Sequence, residues 1–291
     1  MYQHMSLDQA LPHFQTFLHS RNTSSLTQQA YTTDIQQFIA WLKETTVIEL
    51  HAAAITKTDI HEYLAYLADL GRSGVTRARK LASIREFFRY LYEHDFIPSS
   101  PAASVAIPKK ERKQQTYLRP DEYAKLLSAA GSHPRDFAML QVLLQTGIRV
   151  SELVSLTLTS VDMQARTILV AGKGNKERTI PLEKKGILAL KNYLAVRPQS
   201  LDQHVFLNYN GAGISRRGAE KIIEKYRALS GITKRFSCHS LRHTFGSYKA
   251  TQGVSPFQLK EWMGHASIST TQIYVHMGQE GAKRAMEATS L

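Results

Sequence analysis

The sequence predicts a mainly α protein: a small helical domain followed by a larger, mostly helical domain with one small antiparallel β-sheet. Three observations predict it. Apolar residues recur at helical spacing, as in the face formed by Leu26, Ala30, Ile35, Phe38, Ile39 and Leu42. Only two short strand-like runs stand out, TILV and RTIPL, on either side of GKGNKE. A stretch rich in proline and lysine, residues 99–115, breaks the pattern and divides the 291 residues in two.

In the first domain, residues 1–98, helices are predicted over 11–20 and 25–44, the second capped by Ser24 or Ser25. The run ITKTDIHEYLAYLADLG starts from Thr56 or Thr58 and stops at Gly71. A fourth helix spans about 75–94, with Leu81, Ile84, Phe88 and Leu91 on one face. Pro101 and Pro108 oppose helix in the linker, where Lys109, Lys110, Arg112 and Lys113 form a basic run. The second domain, 116–291, opens on LRPDEYAKLLSAA, with Pro120, Asp121 and Glu122 suited to a first turn. Helices are predicted over 136–146 and 149–156, then the hairpin, then about 183–196, 215–229, 240–252, 255–263 and 269–277.

Charge narrows the partner. The chain holds 37 Lys plus Arg against 24 Asp plus Glu, a net of +13. Residues 1–108 carry 9 basic and 10 acidic side chains, so the remaining 28 and 14 place the whole excess in the second part. Such a surplus suits a polyanion, either nucleic acid or an anionic membrane surface. No stretch approaches the ~18 uninterrupted apolar residues of a spanning helix, and no basic amphipathic helix or lipidation signal is evident. The start, MYQHMSLDQA, lacks the features of a signal peptide, and the single cysteine, Cys238, forbids an intrachain disulfide. The expectation is a cytoplasmic, nucleoid-associated protein whose partner is nucleic acid rather than membrane. Residues 71–90 hold six basic groups and one acid, Glu86, which suggests a helix lying on a phosphate backbone, with Arg77 and Lys80 as contacts. Arg216, Arg217, Lys221 and Lys225 give helix 215–229 a similar character. The alternative for both is a solvated helix face.

Four segments concentrate polar groups in apolar surroundings: TGIRVSEL, GKGNKER, HSLRH and MGHASISTTQIY. Alone, each is ordinary. Arg149 and Glu152 are three apart, the spacing of an intrahelical salt bridge. GKGNKER does not satisfy the P-loop pattern. The two histidines of HSLRH lack the glutamate of a zinc peptidase, and Arg242 would set a cation beside any metal. Cys238 beside His239 invites a Cys–His reading, but adjacent side chains point apart, so a structural thiol is expected. Together the segments supply phosphodiester chemistry. Arg149 and Arg242 are forks that hold non-bridging oxygens and keep their protons. Lys173 can protonate the leaving oxygen. His239 and His265 can relay a proton or bind a phosphate oxygen, and Tyr274 can be the nucleophile. No acidic cluster supports a two-metal mechanism, and neither metal nor other cofactor is expected. His265 and Tyr274 lie nine residues apart, out of phase on one helix, so a bend at Gly264 is needed, with Ser267 or Ser269 capping a second short helix.

These four segments, in this order, resemble the motifs of the tyrosine recombinases, the phage integrase family, with a Xer-like flavour. LTQQAYTTDIQQFIAWL and SGVTRARKLASIREFFRYLY resemble the family's core-binding helices, and PAASVAIPKK its linker. The resemblance implies catalytic roles for Arg149, Lys173, His239, Arg242, His265 and Tyr274, and supporting roles for Glu152 and His243. Packed histidine is the other reading of His243. Met263 stands where leucine is usual, a swap of similar volume. The implied reaction forms a 3′-phosphotyrosine, which a 5′-hydroxyl of a partner duplex then attacks, so no ATP is required. The implied partners are double-stranded DNA with inverted core sites and three further copies of the chain, a tetramer on DNA. Helix 75–94 and helix 215–229 would face opposite sides of the duplex. The tail, 278–291, presents Ala282, Ala285 and Met286 on one face and is expected to dock on a neighbouring protomer. No extra N-terminal arm-binding domain is seen, so recombination at a simple core site is expected. Dimer resolution, cointegrate resolution and element integration all suit such a chain. Rival readings are a type IB topoisomerase and a non-catalytic DNA-binding regulator.

Overall fold

The computed structural model describes residues 5–45, 50–109, 116–172, 177–265, 267–271 and 274. The chain forms two compact units, Met1–Lys113 and Gln114–Leu291.

The first unit is a four-helix assembly of α1 (Leu7–Ser20), α2 (Ser25–Thr45), α3 (Lys57–Asp69) and α4 (Gly74–Glu93). Short polar residues start each helix. Ser6 and Gln9 form a capping box on α1, and Thr56 with Asp59 forms another on α3. The Oγ of Ser24 accepts from the Thr27 amide at α2, and that of Ser73 from the Thr76 amide at α4. Helix α1 begins four residues before the predicted start, because the Ser6 cap sets its first turn and Pro12 is tolerated inside it. Aromatic rings fill the interior, with Phe14 edge-on to Phe87 at 5.2 Å and Phe38 tilted against Tyr63 at 5.0 Å.

The unit also runs past the expected boundary at residue 98. Ala102 and Val105 are fully buried in its core, and Arg85 donates to the carbonyls of both. Proline breaks the helix there, but the apolar side chains between the prolines still find the core.

A buried ion cluster ties α2 to α4. Asp34, 2 % exposed, accepts from Arg79, from the Lys80 ammonium at 3.0 Å and from the Ser83 hydroxyl at 2.8 Å. Arg89 and Arg21 pair with Glu86. Much of the basic run on α4 is thus neutralised within its own unit. Lys80, expected to face phosphate, instead points inward and is 5 % exposed. Arg77 is half-buried, and its Nε is enclosed without a partner.

The second unit comprises α5 (Pro120–Ala130), α6 (Pro134–Thr146), α7 (Val150–Val154), a sheet, α8 (Lys184–Val196), α9 (Arg216–Leu229), α10 (Cys238–Thr251) and α11 (Pro256–Met263). The sheet has the order β1 (Val161–Asp162), β2 (Thr167–Ala171) and β3 (Glu177–Pro181), all antiparallel. The predicted hairpin is β2–β3, in register from Thr167↔Pro181 to Ala171↔Glu177. Strand β1 was not predicted, because two residues show no alternation. Helix α6 is buried along nearly its whole length and packs on α5, α8 and α10, so it is the core of the unit. Helix α10 begins at Cys238 rather than 240, which places His239 in its first turn. The expected helix 269–277 and the tail 278–291 fall mainly outside the described residues. Among the described residues, no helix is long and apolar enough to cross a membrane.

The Asp34 cluster yields the first prediction. Asp34→Ala leaves a buried ammonium unpaired, and urea unfolding of the full chain is expected to show a loss of roughly 3–5 kcal/mol from the first unit.

Candidate active site

The start of α7, one face of α9 and the start of α10 form one cleft, and the turns after α6 and α11 bind two of its arginines. Helix α6 stops at Gly147, whose φ of 62° ends the helix and releases the chain toward Arg149. Arg149 then serves as the N-cap of α7, and Glu152 at its third position accepts from the Arg149 amide at 2.7 Å. The Arg149 guanidinium turns back to donate to Glu152 Oε1 at 2.9 Å and to the Gly264 carbonyl at 3.0 Å. The salt bridge that the spacing alone suggested does form. It holds an arginine that is still 43 % exposed.

Arg242 comes from α10 and is 3 % exposed. Its Nη1 donates to the Gly147 carbonyl at 2.6 Å, and its Nη2 donates to the Met263 carbonyl. Burial, then the neighbouring charge of Arg149, lowers its pKa to about 10, so it remains a cation at neutral pH. Arg149, His239 and Arg242 line a cleft of about 550 Å³, together with Arg216 and Arg227 of α9. Glu220 and Glu224 share the lining and pair with Arg216 and Arg227.

Three imidazoles surround this positive centre. Burial and the charges of Arg242 and Arg149 depress the pKa of His239. The same causes, with burial first, take His265 down to about 4. His265 follows Gly264, whose left-handed φ of 62° ends α11 and supplies the predicted bend. Its Nδ1 lies 2.9 Å from the Thr271 hydroxyl. His243 is pushed to about 4 by burial, then by His239 and Arg242. All three are therefore neutral at pH 7, able to donate at one ring nitrogen and accept at the other.

Tyr274 is in the same unit but outside the cleft lining. It is 2 % exposed and packs with Phe245, Leu259 and Met263. Its hydroxyl lies 2.6 Å from His243 Nδ1. Burial raises the phenol to about 12, against a smaller lowering by Arg242. The ring rests on Gly246, where a Cβ would come within 2.5 Å of the Tyr274 Cζ.

One feature, Arg178, escaped sequence reasoning, and one expected supporting residue, His243, gains a partner. His243, read as support or packing, makes the contact to Tyr274. Arg178 of β3 donates through Nη1 and Nη2 to Glu152 at 3.1 and 2.8 Å and through Nε to the Trp262 carbonyl at 2.9 Å. The signal for Arg178 was its strand alternation: it shares the inward side of β3 with Ile180. Glu152 is costly to ionise where it is buried, but Arg178, the Arg149 amide and both guanidinium charges outweigh that and hold its pKa below 4.5. Lys173 lies outside the described residues. Arg217, Lys221 and Lys225 are exposed on α9, and Lys225 sits 4.8 Å over the Tyr226 ring. Burial raises the Cys238 thiol to about 11, which makes it a poor nucleophile. Among the described residues, no group of His, Cys, Asp and Glu could hold a metal ion.

A family model described as phage integrase family matches residues 116–280, and one described as phage integrase, N-terminal SAM-like domain, matches 11–95. The chain is 37 % identical over 269 residues to tyrosine recombinase XerC of Thermodesulfovibrio yellowstonii, covering 88 % of this chain and 87 % of that one. It is 35 % identical over 275 residues to tyrosine recombinase XerD of Listeria monocytogenes, covering 90 % and 92 %. Its fold matches that of a lambda integrase tetramer solved on a Holliday junction, with a TM-score of 0.78 at 18 % identity over 94 % and 78 % of the two chains. The family models and the Xer relatives, matched over most of the chain, make it a tyrosine site-specific recombinase. This chain belongs to the phage integrase family.

Two predictions follow from the histidines and the tyrosine socket. The folded pKa of His243, about 4, lies below the ordinary 6.5, so the unfolded chain binds more protons between those values. Stability is full above pH 6.5 and falls as the pH drops toward 4. Urea titrations at pH 5 and 7 are expected to differ by about 1–3 kcal/mol from this residue, a difference that His243→Gln removes. Gly246→Ala is expected to expel the Tyr274 ring. A pH-difference absorbance titration, referenced to Tyr274→Phe, should then show that phenol moving from about 12 toward 10.0.

Proposed function

We propose that the protein cleaves and rejoins double-stranded DNA at specific sites through a 3′-phosphotyrosine at Tyr274. The observation that carries this reading is the placement of two arginine forks and His239 in one cleft, with a tyrosine in the same unit. A scissile phosphate develops negative charge on its non-bridging oxygens during attack, and Arg149 and Arg242 are set to hold them. Both forks are already held by fixed carbonyl or carboxylate partners, so they need little reorganisation when charge develops. Burial first, and then the arginine charges, keep the nearby imidazoles neutral, which leaves a ring nitrogen free to accept a proton.

The Tyr274 oxygen attacks phosphorus, and the bond to the 5′ oxygen breaks. The phenolic proton passes to His239, His265 or His243, and Lys173 donates a proton to the departing 5′ oxygen. Rejoining reverses the roles: a 5′-hydroxyl attacks the phosphotyrosine and the tyrosine leaves. One phosphoester replaces another, so the bond energy is conserved and no nucleotide is consumed. Glu152 and His243 support the arginine and the tyrosine.

The DNA partner and a tetrameric synapse of like chains fit this chemistry, since exchange requires two duplexes and four strand cleavages, and inverted core sites would let two like chains bind each duplex. The names of the relatives, recombinases and a tetramer on a Holliday junction, support the same assembly. Arg217, Lys221 and Lys225 of α9, with Arg216 at the cleft, are the basic groups we assign to DNA, and Arg77 is the remaining candidate in the first unit. We place the N-terminal core-binding domain at 1–98 plus the buried segment that ends near residue 105, and the catalytic domain at 116–291. The protein acts in the cytoplasm, on the nucleoid.

The test is a nicked suicide duplex carrying a site recovered by bound-fragment selection, incubated in EDTA. The wild type is expected to form a denaturation-resistant adduct and Tyr274→Phe none, with duplex binding retained. Tight binding without an adduct in the wild type would overturn the reading. Arg242→Ala should lower the adduct rate by about 100-fold or more, as for a lost oxyanion donor.

A further inference from the structure

Arg178 leaves β3 on its inward side, and its side chain is 11 % exposed. Each of its three guanidinium nitrogens donates a hydrogen bond. Nη1 and Nη2 grip both oxygens of Glu152, at 3.1 and 2.8 Å, and Nε donates to the Trp262 carbonyl at 2.9 Å. The backbone of Gly264 lies directly on the guanidinium, where a Cβ would sit 2.9 Å from Cζ.

Arg149 is held at two points on its side chain, Glu152 Oε1 and the Gly264 carbonyl. Both points rest on Arg178. Glu152 has no other side-chain cation within hydrogen-bonding reach among the described residues than Arg149 and Arg178. Only a planar fork can span this pair of anchors. A lysine ammonium has the charge but cannot hold a carboxylate through two parallel bonds while also bonding a third group in the same plane. Arg149 is far more exposed than Arg242, so its orientation depends on these anchors more than on packing.

We propose that Arg178 is a positioning residue for the reaction: through Glu152 and the Gly264 turn it fixes the Arg149 guanidinium that holds a non-bridging oxygen of the scissile phosphate. This inference rests on the role proposed above for Arg149. It makes the β-sheet part of the active site, because β3 carries the anchor for an arginine on a different element.

The experiment compares Arg178→Lys with wild type on two suicide duplexes, one with the natural scissile phosphodiester and one with a methylphosphonate there. The methyl group replaces a charged non-bridging oxygen, so the neutral substrate asks less of Arg149. On the phosphodiester, adduct formation by Arg178→Lys is expected to fall about 10–100-fold, the scale of a misplaced catalytic group. On the methylphosphonate the deficit should shrink to about threefold or less, since less charge needs stabilising. Equal losses on both substrates, or no loss on either, would overturn the inference. Arg149→Ala is run alongside. If it shows no such compression, the role of Arg149 itself fails, which separates the two claims. If Arg178→Lys loses duplex binding or its folded transition, the pair Arg178→Gln with Glu152→Gln, which leaves no buried charge unpaired, is judged by the same comparison.

Discussion

The active site depends on one buried carboxylate set among cations. Glu152 is 6 % exposed, and each of its oxygens accepts from two donors, one from Arg149 and one from Arg178. An isolated carboxylate in that position would be costly to ionise. With four donors it stays charged, and it links the start of α7 to strand β3. Through Arg149 and Arg178 the link reaches the turn after α11, where His265 follows Gly264. The positive centre is thus assembled around a negative one, and the remaining cation, Arg242, is held by carbonyls alone. The surplus charge faces the cleft, where a phosphate can use it.

Tyr274 is governed by different physics. The arginines are fixed by hydrogen bonds, whereas Tyr274 is held mainly by packing: an apolar cluster, a glycine that admits its ring, and one hydrogen bond to a neutral histidine. Burial makes its proton harder to remove, and the cleft does not include it. The arginines of the site are therefore preorganised, while the Tyr274 hydroxyl is buried against His243.

The first unit shows how net charge and available charge differ. Its helix α4 is strongly basic by composition. In the fold, Asp34 takes up Arg79 and Lys80, Glu86 takes up Arg89, and carbonyls take up Arg85. Asp34 lies more than forty residues from these partners, so the pairing was invisible to any count of local charge. On α9 the basic residues Arg217, Lys221 and Lys225 stay exposed, and there the local count described the surface correctly.

The sequence by itself determined the fold class, most helices, the β2–β3 hairpin and the family, because these rest on periodicity, caps and short motifs. It also identified Arg149, Glu152, His239, Arg242, His265 and Tyr274 as a group, and the structure brings them to one region of the second unit, with Tyr274 buried behind the cleft lining. Only the tertiary structure decided who touches whom. That His243 holds the tyrosine, that Arg178 underlies Arg149, that Lys80 points inward and that Ala102 and Val105 belong to the first core all follow from contacts between segments far apart in the chain. Local patterns report which face of a helix or strand is apolar; they carry no information about which distant polar group will meet a buried charge.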